Sequence, residues 1–186
     1  MSLPPSAVSK GDLRRALLER RLNLGDAERT RMDAAIAAHL EHLLSKQPAA
    51  SLGVFWPIRK EPDLFDLYRR LHAQGIRLAL PVVSAKEMPL RFASWAPDDP
   101  MIKDGFGVPV PEKQVFGDMP EALLVPCVGF NSGRFRIGYG GGFYDRTLAI
   151  TPKPYAIGIA YSCQLAEFEV GSHDVALDLI VTEISY

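Results

Sequence analysis

Apolar residues in the first quarter of the chain recur at helical spacing and predict two amphipathic helices. The first helix begins after Ser9, whose side chain is placed to cap it. Its apolar stripe consists of Leu13, Leu17, Leu18 and Leu22. The second helix is predicted to be capped by Asp26 and to end before Pro48, a residue that cannot continue a helix. Its apolar stripe consists of Met32, Ile36, Leu40 and Leu43.

Beyond residue 50 the apolar positions form short continuous runs, which are typical of buried strands. These runs predict strands at residues 51–56, 78–83, 90–95, 122–127, 155–160 and 179–184. A third helix lies between the first two strands, with Asp63 as its cap and Gly75 at its end. Its apolar residues are Leu64, Leu67, Tyr68 and Leu71. A further helix is predicted to start near Gly142.

Helices that alternate with apolar strands indicate a mainly parallel sheet. We therefore predict a single α/β domain, with the sheet flanked by helices on both faces in a three-layer, Rossmann-like arrangement. A chain of 186 residues that is 47% hydrophobic can bury one substantial core and is short for two. The domain is expected to span residues 10–186, after a disordered leader at residues 1–9. The Pro- and Gly-rich stretch 97–120 is expected to be a long functional loop.

The overall charge and the cysteines bear on partners and location. A net charge of −1 excludes a global attraction to nucleic acids or anionic membranes, so any phosphate binding must come from a local cluster. No apolar run is long enough to span a membrane, and the first residues lack the apolar core of a signal peptide. Cys127 and Cys163 lie in apolar contexts typical of buried free thiols. We therefore expect a cytoplasmic monomer that acts on small molecules, with no nucleic-acid or membrane partner.

Candidate chemistry is concentrated between Gly129 and Leu148, in the sequence GFNSGRFRIGYGGGFYDRTL. Glycines there can adopt positive φ angles and turn successive backbone N–H groups toward one anion. They are Gly138, Gly140, Gly141 and Gly142. Nearby arginines supply charge-assisted donors, and Asp145 in the first turn of the next helix can hold a magnesium ion against phosphates. These arginines are Arg134, Arg136 and Arg146.

This loop does not match the two common glycine-rich phosphate motifs. A dinucleotide fingerprint needs a glycine where Phe143 stands, and a P-loop needs a Gly-Lys-Ser/Thr ending, which the sequence lacks here. From the glycines alone, a structural turn between a strand and a helix is an equal alternative, with Asp145 only stabilising the helix terminus. The three arginines beside the glycines favour a phosphate site.

The same stretch resembles the signature of the 5-formyltetrahydrofolate cyclo-ligases, also called methenyltetrahydrofolate synthetases. That family carries the pattern GFD..G.RLG.G.GYYDR.L, and this chain has GFN..G.RIG.G.GFYDR.L. The resemblance extends, in the family's order, to an N-terminal basic element, an acidic element after a strand and a C-terminal acidic element. These elements are Lys10 with Leu13, Arg14 and Arg15; Glu61 with Pro62 and Asp63; and His173 with Asp174 and Asp178.

The resemblance implies an ATP-binding site with magnesium. In it Lys10 and Arg14, four residues apart on one helical face, reach the nucleotide phosphates together with the glycines and arginines of the loop. Asp145 and Asp174 match the magnesium ligands of the family. Asp178 matches as well but precedes a strand, which is compatible with a structural role. The remaining N-terminal arginines are expected on the surface: Arg15, Arg20 and Arg21.

The folate half of the site is implied in the same way. The family glutamate that matches Glu61 binds the pterin, whose N–H donors a carboxylate can accept in pairs. From its position alone, Glu61 could instead stabilise the first turn of the helix that follows. Aromatic rings are candidates for contact with the pterin or aminobenzoyl group, and Phe106 ranks first because it aligns with a family aromatic. The other candidates are Trp56, Tyr139, Phe143 and Tyr144.

The implied reaction is the ATP-dependent cyclisation of 5-formyltetrahydrofolate to 5,10-methenyltetrahydrofolate, through a phosphorylated formyl intermediate, with release of ADP and phosphate. Asn131, Gly141 and Phe143 depart from the residues usual in the family, which leaves the strength of nucleotide binding open. Two alternatives remain: a non-catalytic folate or nucleotide binder that keeps the fold, and a sugar-phosphate or coenzyme A enzyme on a similar scaffold. The latter should need a catalytic acid–base pair and no ATP.

Overall fold

A computed structural model of the chain describes residues 9–185. Its helices are α1 (Lys10–Leu22), α2 (Asp26–Lys46), α3 (Phe65–Ala73) and α4 (Phe143–Leu148), with a 3-10 turn at Ser162–Gln164. Its strands are β1 (Ser51–Gly53), β2 (Arg77–Val82), β3 (Arg91–Trp95), β4 (Met101–Lys103), β5 (Pro109–Pro111), β6 (Ala122–Pro126), β7 (Gly129–Phe130), β8 (Arg136–Ile137), β9 (Tyr155–Ile159) and β10 (Leu179–Val181). Apart from Ser9, the expected leader lies outside the described residues.

Six strands form one sheet in the order β10-β9-β6-β1-β2-β3. Neighbouring strands are parallel except β2 and β3, which are antiparallel with Leu80 opposite Ala93. The prediction of a mainly parallel sheet is confirmed. From β1 the chain continues to β2 and β3 on one side, whereas β6 is followed by β9 and β10 on the other. The direction of strand order therefore reverses between β1 and β6.

Helices cover both faces of this sheet, as predicted. Successive side chains of a strand point to opposite faces, and the residues of β6 alternate between two hydrophobic clusters. Leu124 belongs to the cluster that contains Ile36 of α2 and Leu71 of α3. Leu123 belongs to the cluster that contains Leu148 of α4. No helix in the described part of the chain is long and apolar enough to cross a membrane.

The predicted side-chain cap of α1 is confirmed, whereas the predicted caps of α2 and α3 are not. The hydroxyl of Ser9 accepts a hydrogen bond from the Asp12 backbone N–H at 3.1 Å, which begins α1 where the sequence indicates. The predicted cap of α3 at Asp63 is wrong, because the N-cap is Leu64; the Asp63 side chain lies one residue earlier and accepts from the Phe65 N–H at 3.1 Å. For α2 the cap residue is Gly25, and Asp26 is instead the first helical residue.

The stretch 97–120 differs from the expected long loop because it contains a hairpin. Strands β4 and β5 pair in an antiparallel register, with Met101 opposite Pro111. A second small hairpin, β7–β8, opens the signature segment, with Gly129 opposite Ile137. Helix α1 packs directly on this hairpin, because a Cβ on Gly129 would overlap the Leu17 side chain. This close approach ties the N-terminal helix to the signature segment.

The two cysteines are free, as expected. Cys127 is fully buried behind β6, and burial raises the pKa of its thiol to about 12. Cys163 is half-buried in the 3-10 turn. A thiol with so high a pKa stays protonated at neutral pH, so Cys127 contributes packing and not nucleophilic chemistry.

Candidate active site

Two of the predicted site segments follow the carboxyl ends of β1 and β6, the strands between which the strand order reverses. Glu61 follows β1, and the hairpin β7–β8 with the glycine loop, Gly138–Gly142, follows β6. Ligands of open α/β sheets bind in the crevice beside such a reversal. The topology alone therefore favours this region as the site.

The glycine loop has the backbone conformation that its composition predicts. Gly140 has a φ of +96° and Gly142 a φ of +65°, a region that residues with a Cβ rarely adopt. Gly142 in this left-handed conformation is the N-cap of α4, which begins at Phe143. The loop thus turns sharply from β8 into α4, and a β-branched residue at either position would strain it.

Helix α1 brings two cations to this region from one face. Arg14 Nε donates to the carbonyl of Gly138 at 2.7 Å, and its guanidinium carbon lies 3.6 Å from the place of a Cβ on Gly140. One turn earlier, Lys10 forms an ion pair with Asp174. Residues 10 and 14 are thus brought together with the glycine loop and the C-terminal acid, as the spacing predicts.

The three arginines of the signature occupy different environments. Arg136 is 7% exposed: its Nη2 lies 2.8 Å from Asp145 Oδ1, and its Nη1 donates to the Val175 carbonyl at 3.1 Å. Arg146 Nη2 donates to the carbonyl of Gly141 at 2.8 Å, which leaves this side chain beside the loop. Arg134 is exposed. Arg136 is therefore an internal ion-pair partner of Asp145, whereas Arg134 and Arg146 are accessible.

Asp145 and Asp174 border the same buried arginine. Asp145 Oδ1 contacts Arg136 and accepts from the Val175 N–H at 3.3 Å, and Asp174 precedes Val175 in the chain. Burial disfavours the ionised form of Asp174, but the hydrogen bonds from Lys10 and from the Gly171 N–H outweigh it and lower its pKa below the usual 3.8. Asp174 is therefore a carboxylate at neutral pH.

Asp178 takes the structural role that its position before a strand allows. It accepts from the Ala156 N–H at 2.8 Å and from Lys153 at 3.0 Å, so it joins the start of β9 to the start of β10.

Glu61 is buried in a polar network that includes Arg21. The Glu61 side chain accepts from the Tyr139 hydroxyl at 2.6 Å and from the Ile58 N–H at 2.9 Å, and Arg21 Nη2 lies 3.8 Å from its Oε1. Burial raises the pKa of the Glu61 carboxyl above 4.5, while the Arg21 charge and the Tyr139 hydrogen bond act in the opposite direction.

The expected surface position of Arg21 is wrong, because this residue is fully buried. Its burial follows from its place in the helix: Arg21 lies four residues after Leu17 and therefore continues the buried stripe of α1. That spacing was the available signal. Arg15 and Arg20 are exposed, as expected.

The aromatic candidates fall into two groups. Phe106, at the tip of the β4–β5 hairpin, is 67% exposed, and its ring centre lies 6.1 Å from that of Phe143. The hydroxyl of Tyr144 is buried without a hydrogen-bond partner among residues 9–185. Trp56 instead packs edge-on against Phe65, with ring centres 4.6 Å apart, in the aromatic cluster of the core. Phe106, Phe143 and Tyr144 are therefore better placed beside the glycine loop than Trp56.

A cavity of about 640 Å³ lies elsewhere, where β2 begins and β3 ends. Its lining includes Ile76, Trp95 and Pro111 and none of the predicted site residues. The start of β2 lies at the amino ends of the parallel strands, whereas the glycine loop follows the carboxyl end of β6. Side-chain chemistry, rather than cavity size, therefore locates the candidate active site.

Comparison with known proteins agrees with the signature. The sequence pattern of the 5-formyltetrahydrofolate cyclo-ligase family matches residues 6–183. The chain is 31% identical over 180 residues to a 5-formyltetrahydrofolate cyclo-ligase from Mycoplasma pneumoniae, with 95% of this chain and 99% of the relative covered. A solved 5,10-methenyltetrahydrofolate synthetase from the same organism superposes with a TM-score of 0.80 at 28% identity, over 95% of this chain and 99% of the other. A 5,10-methenyltetrahydrofolate synthetase from Aquifex aeolicus gives a TM-score of 0.81 at 28% identity, over 94% and 89%. The chain therefore belongs to the 5-formyltetrahydrofolate cyclo-ligase family.

Proposed function

We propose that the protein catalyses the ATP- and magnesium-dependent cyclisation of 5-formyltetrahydrofolate to 5,10-methenyltetrahydrofolate, with release of ADP and phosphate. Family membership across nearly the whole chain is the observation that carries this proposal. Two cations of α1, a glycine loop with positive φ angles and two carboxylates lie in one region, which supports it. We also propose that the protein is a cytoplasmic monomer.

The chemistry requires ATP because the oxygen of a formamide is a poor leaving group. In the proposed reaction the formyl oxygen attacks the γ-phosphorus and displaces ADP, which converts that oxygen into a phosphate ester. The folate N10 then adds to the activated carbon and loses its proton, and phosphate departs as the C–O bond breaks, which gives the methenyl ring. No protein nucleophile is needed, so the enzyme acts mainly by positioning the reactants and neutralising charge.

Nucleotide phosphates are proposed to bind the glycine loop and the cations beside it. Arg14 and Arg146 each donate to a loop carbonyl, so both guanidinium groups lie beside the loop and could contact a polyphosphate bound there. Arg134 and Lys10 add charge at the margin of this region. Arg136 contributes indirectly, because its ion pair with Asp145 fixes that carboxylate.

The two carboxylates fit a magnesium ion that is completed by phosphates and water. The described residues contain no group of three acidic, His or Cys side chains that could enclose a metal, so a magnesium ion would use few protein ligands. The described contacts of Asp145 all use Oδ1 and those of Asp174 all use Oδ2, which leaves one oxygen of each for a cation. Bound there, magnesium would neutralise phosphate charge.

The folate pterin is proposed to bind Glu61. The carboxylate accepts two hydrogen bonds from the protein, which leaves about two acceptor positions for a pair of pterin N–H groups. Glu61 is 2% exposed, and Tyr139, which donates to it, is 39% exposed, so we propose that the pterin approaches Glu61 from the side of Tyr139. Phe106, Phe143 and Tyr144 are proposed to pack against the folate rings, and Trp56 is the less accessible candidate because it packs against Phe65.

An absorbance assay for the methenyl product tests this function. Purified protein should convert 5-formyltetrahydrofolate only when ATP and magnesium are both present, and ADP should form in equal amount. Conversion without ATP would refute the mechanism and favour a different enzyme class. Folate binding without any product would favour the non-catalytic binder.

A further inference from the structure

Arg21 of α1 is buried at the candidate active site and donates hydrogen bonds to three other segments of the chain. Its Nε donates to the Arg59 carbonyl at 3.0 Å, and its Nη1 donates to the Cys127 carbonyl at 3.3 Å. Its Nη2 donates to the Tyr139 hydroxyl at 2.5 Å. These contacts link α1 to the loop after β1, to the end of β6 and to the glycine loop. The residue is fully buried, so water screens its positive charge only weakly.

We propose that Arg21 is a positioning residue that keeps the Glu61 carboxylate ionised and oriented for the folate ring. The inference rests on the proposed role of Glu61 in folate binding. It assigns no contact between Arg21 and substrate, since Arg21 acts through Glu61 and Tyr139.

Charge is the first reason for this role. A carboxylate that is 2% exposed tends to take up a proton, and a protonated carboxyl loses part of its capacity to accept pterin N–H groups. Arg21 Nη2 lies 3.8 Å from Glu61 Oε1, near enough to favour the ionised form strongly. The titratable and charged groups that act electrostatically on Glu61 or are acted on by it are Arg21, Arg59, Tyr68, Cys127, Tyr139 and Tyr144. Of these only Arg21 and Arg59 carry positive charge, and Arg59 is exposed.

Hydrogen-bond direction is the second reason. A hydroxyl has one proton to donate, and the Arg21 guanidinium can only donate. The Tyr139 oxygen therefore accepts from Arg21, and its own proton is directed to Glu61 Oε1 at 2.6 Å. Arg21 thereby orients the hydrogen bond from Tyr139 of the glycine loop to the Glu61 carboxylate. The segment proposed for phosphates and the acid proposed for folate are held in one network.

Two substitutions separate charge from shape. Both Arg21→Met and Arg21→Lys remove the fork that binds the Arg59 and Cys127 carbonyls, but only the lysine keeps a positive charge. Affinity for 5-formyltetrahydrofolate is measured by calorimetry without ATP, from about pH 5.5 to about pH 9, for the parent and both variants. The pH below which affinity falls should rise by about one to three units in Arg21→Met. In Arg21→Lys it should stay close to that of the parent.

A purely structural role for Arg21 predicts a different pattern. Both variants would then lose affinity by a similar factor at every pH. The acid limb, which is the fall of folate affinity toward low pH, would stay where it is in the parent, and that result would overturn the inference. If Arg21→Met does not fold by circular dichroism, Tyr139→Phe replaces it, because loss of the hydroxyl should also move the acid limb to higher pH, by a smaller amount. An unmoved limb in Tyr139→Phe would then overturn the inference.

Parent turnover is measured in parallel and separates this inference from the proposed function. If the parent forms the methenyl product and Arg21→Met leaves the pH profile unchanged, only the role of Arg21 fails. If the parent neither binds nor converts the folate, the proposed function and this inference both fail.

Discussion

Replacing Arg136 with alanine should destabilise the fold, whereas replacing Arg146 should not, although both belong to the signature segment. Arg136 is 7% exposed and is the ion-pair partner of Asp145 at 2.8 Å, so its loss leaves a carboxylate without its counter-charge. Arg146 is partly exposed and donates to the carbonyls of Gly141 and Met88, which water can reach after the substitution. The same chemical change therefore has different consequences.

The size of the difference follows from burial. Removing one partner of a fully buried ion pair costs about 3–5 kcal/mol. The Asp145 side chain is 29% exposed, so water compensates part of that loss, and we expect about 2–3 kcal/mol. For a domain of this size, 1 kcal/mol lowers Tm by about 2–4 °C, which gives a decrease of about 4–12 °C for Arg136→Ala. Exposed hydrogen bonds contribute less, so Arg146→Ala should lower Tm by no more than about 4 °C.

Thermal denaturation with and without Mg-ATP measures both effects. Arg15→Ala is the matched control, because Arg15 is an exposed arginine of α1 whose ion pair with Asp12 is also exposed. Nucleotide at about 100 times its Kd should stabilise the parent and the control by about 2.7 kcal/mol. Arg146→Ala should keep its Tm without ligand and lose most of this stabilisation. A normal Tm for Arg136→Ala refutes its structural role, and full stabilisation of Arg146→Ala refutes a phosphate contact.

Four further substitutions test the individual site residues. Glu61→Gln should weaken folate binding about ten-fold or more and leave Mg-ATP binding unchanged in calorimetry; an unchanged folate affinity would return Glu61 to a helix-stabilising role. Asp145→Asn should mainly lower the magnesium-dependent rate, so a normal rate at limiting magnesium would exclude it as a ligand. Gly140→Val should abolish stabilisation by Mg-ATP because valine resists a φ of +96°. Intact stabilisation would show that the phosphates bind outside the glycine loop. Because the pKa of Asp174 is lowered in the fold, its ion pair with Lys10 stabilises the protein above about pH 4 and is lost as pH falls through the folded pKa. The stability lost in Asp174→Asn, measured by urea denaturation, should therefore be constant above about pH 5 and shrink below about pH 4, and a difference that grows in acid would contradict this.

Sequence patterns predicted the elements whose signals are local. The start of α1 follows from the side-chain cap at Ser9, which acts within three residues. The hairpins β4–β5 and β7–β8 were not predicted, because their strands have two or three residues and show no period. Strands β1 and β10 are equally short but were predicted because they lie in the longer runs 51–56 and 179–184. Formation of the hairpins depends on contacts with distant segments, as in the packing of α1 on Gly129.

For the candidate site, the sequence predicted which residues come together better than how each is held. Lys10, Arg14 and the glycine loop meet as the helical spacing implies. The burial of Arg21 was missed because an arginine among arginines resembles a solvated helix face, and its partners come from residues 59, 127 and 139.

The ion pair between Lys10 and Asp174 spans 164 positions of the chain, and this separation sets an order of events during synthesis. A nascent chain that has been synthesised only as far as α4 still lacks Asp174, one of the two proposed magnesium carboxylates. Because chains emerge from the N-terminus, α1 must wait for almost the whole polypeptide before its cation finds this partner. Nascent chains that stop before residue 174 should therefore have an incomplete nucleotide site. Mg-ATP should bind and stabilise the full-length chain more strongly than these shorter chains.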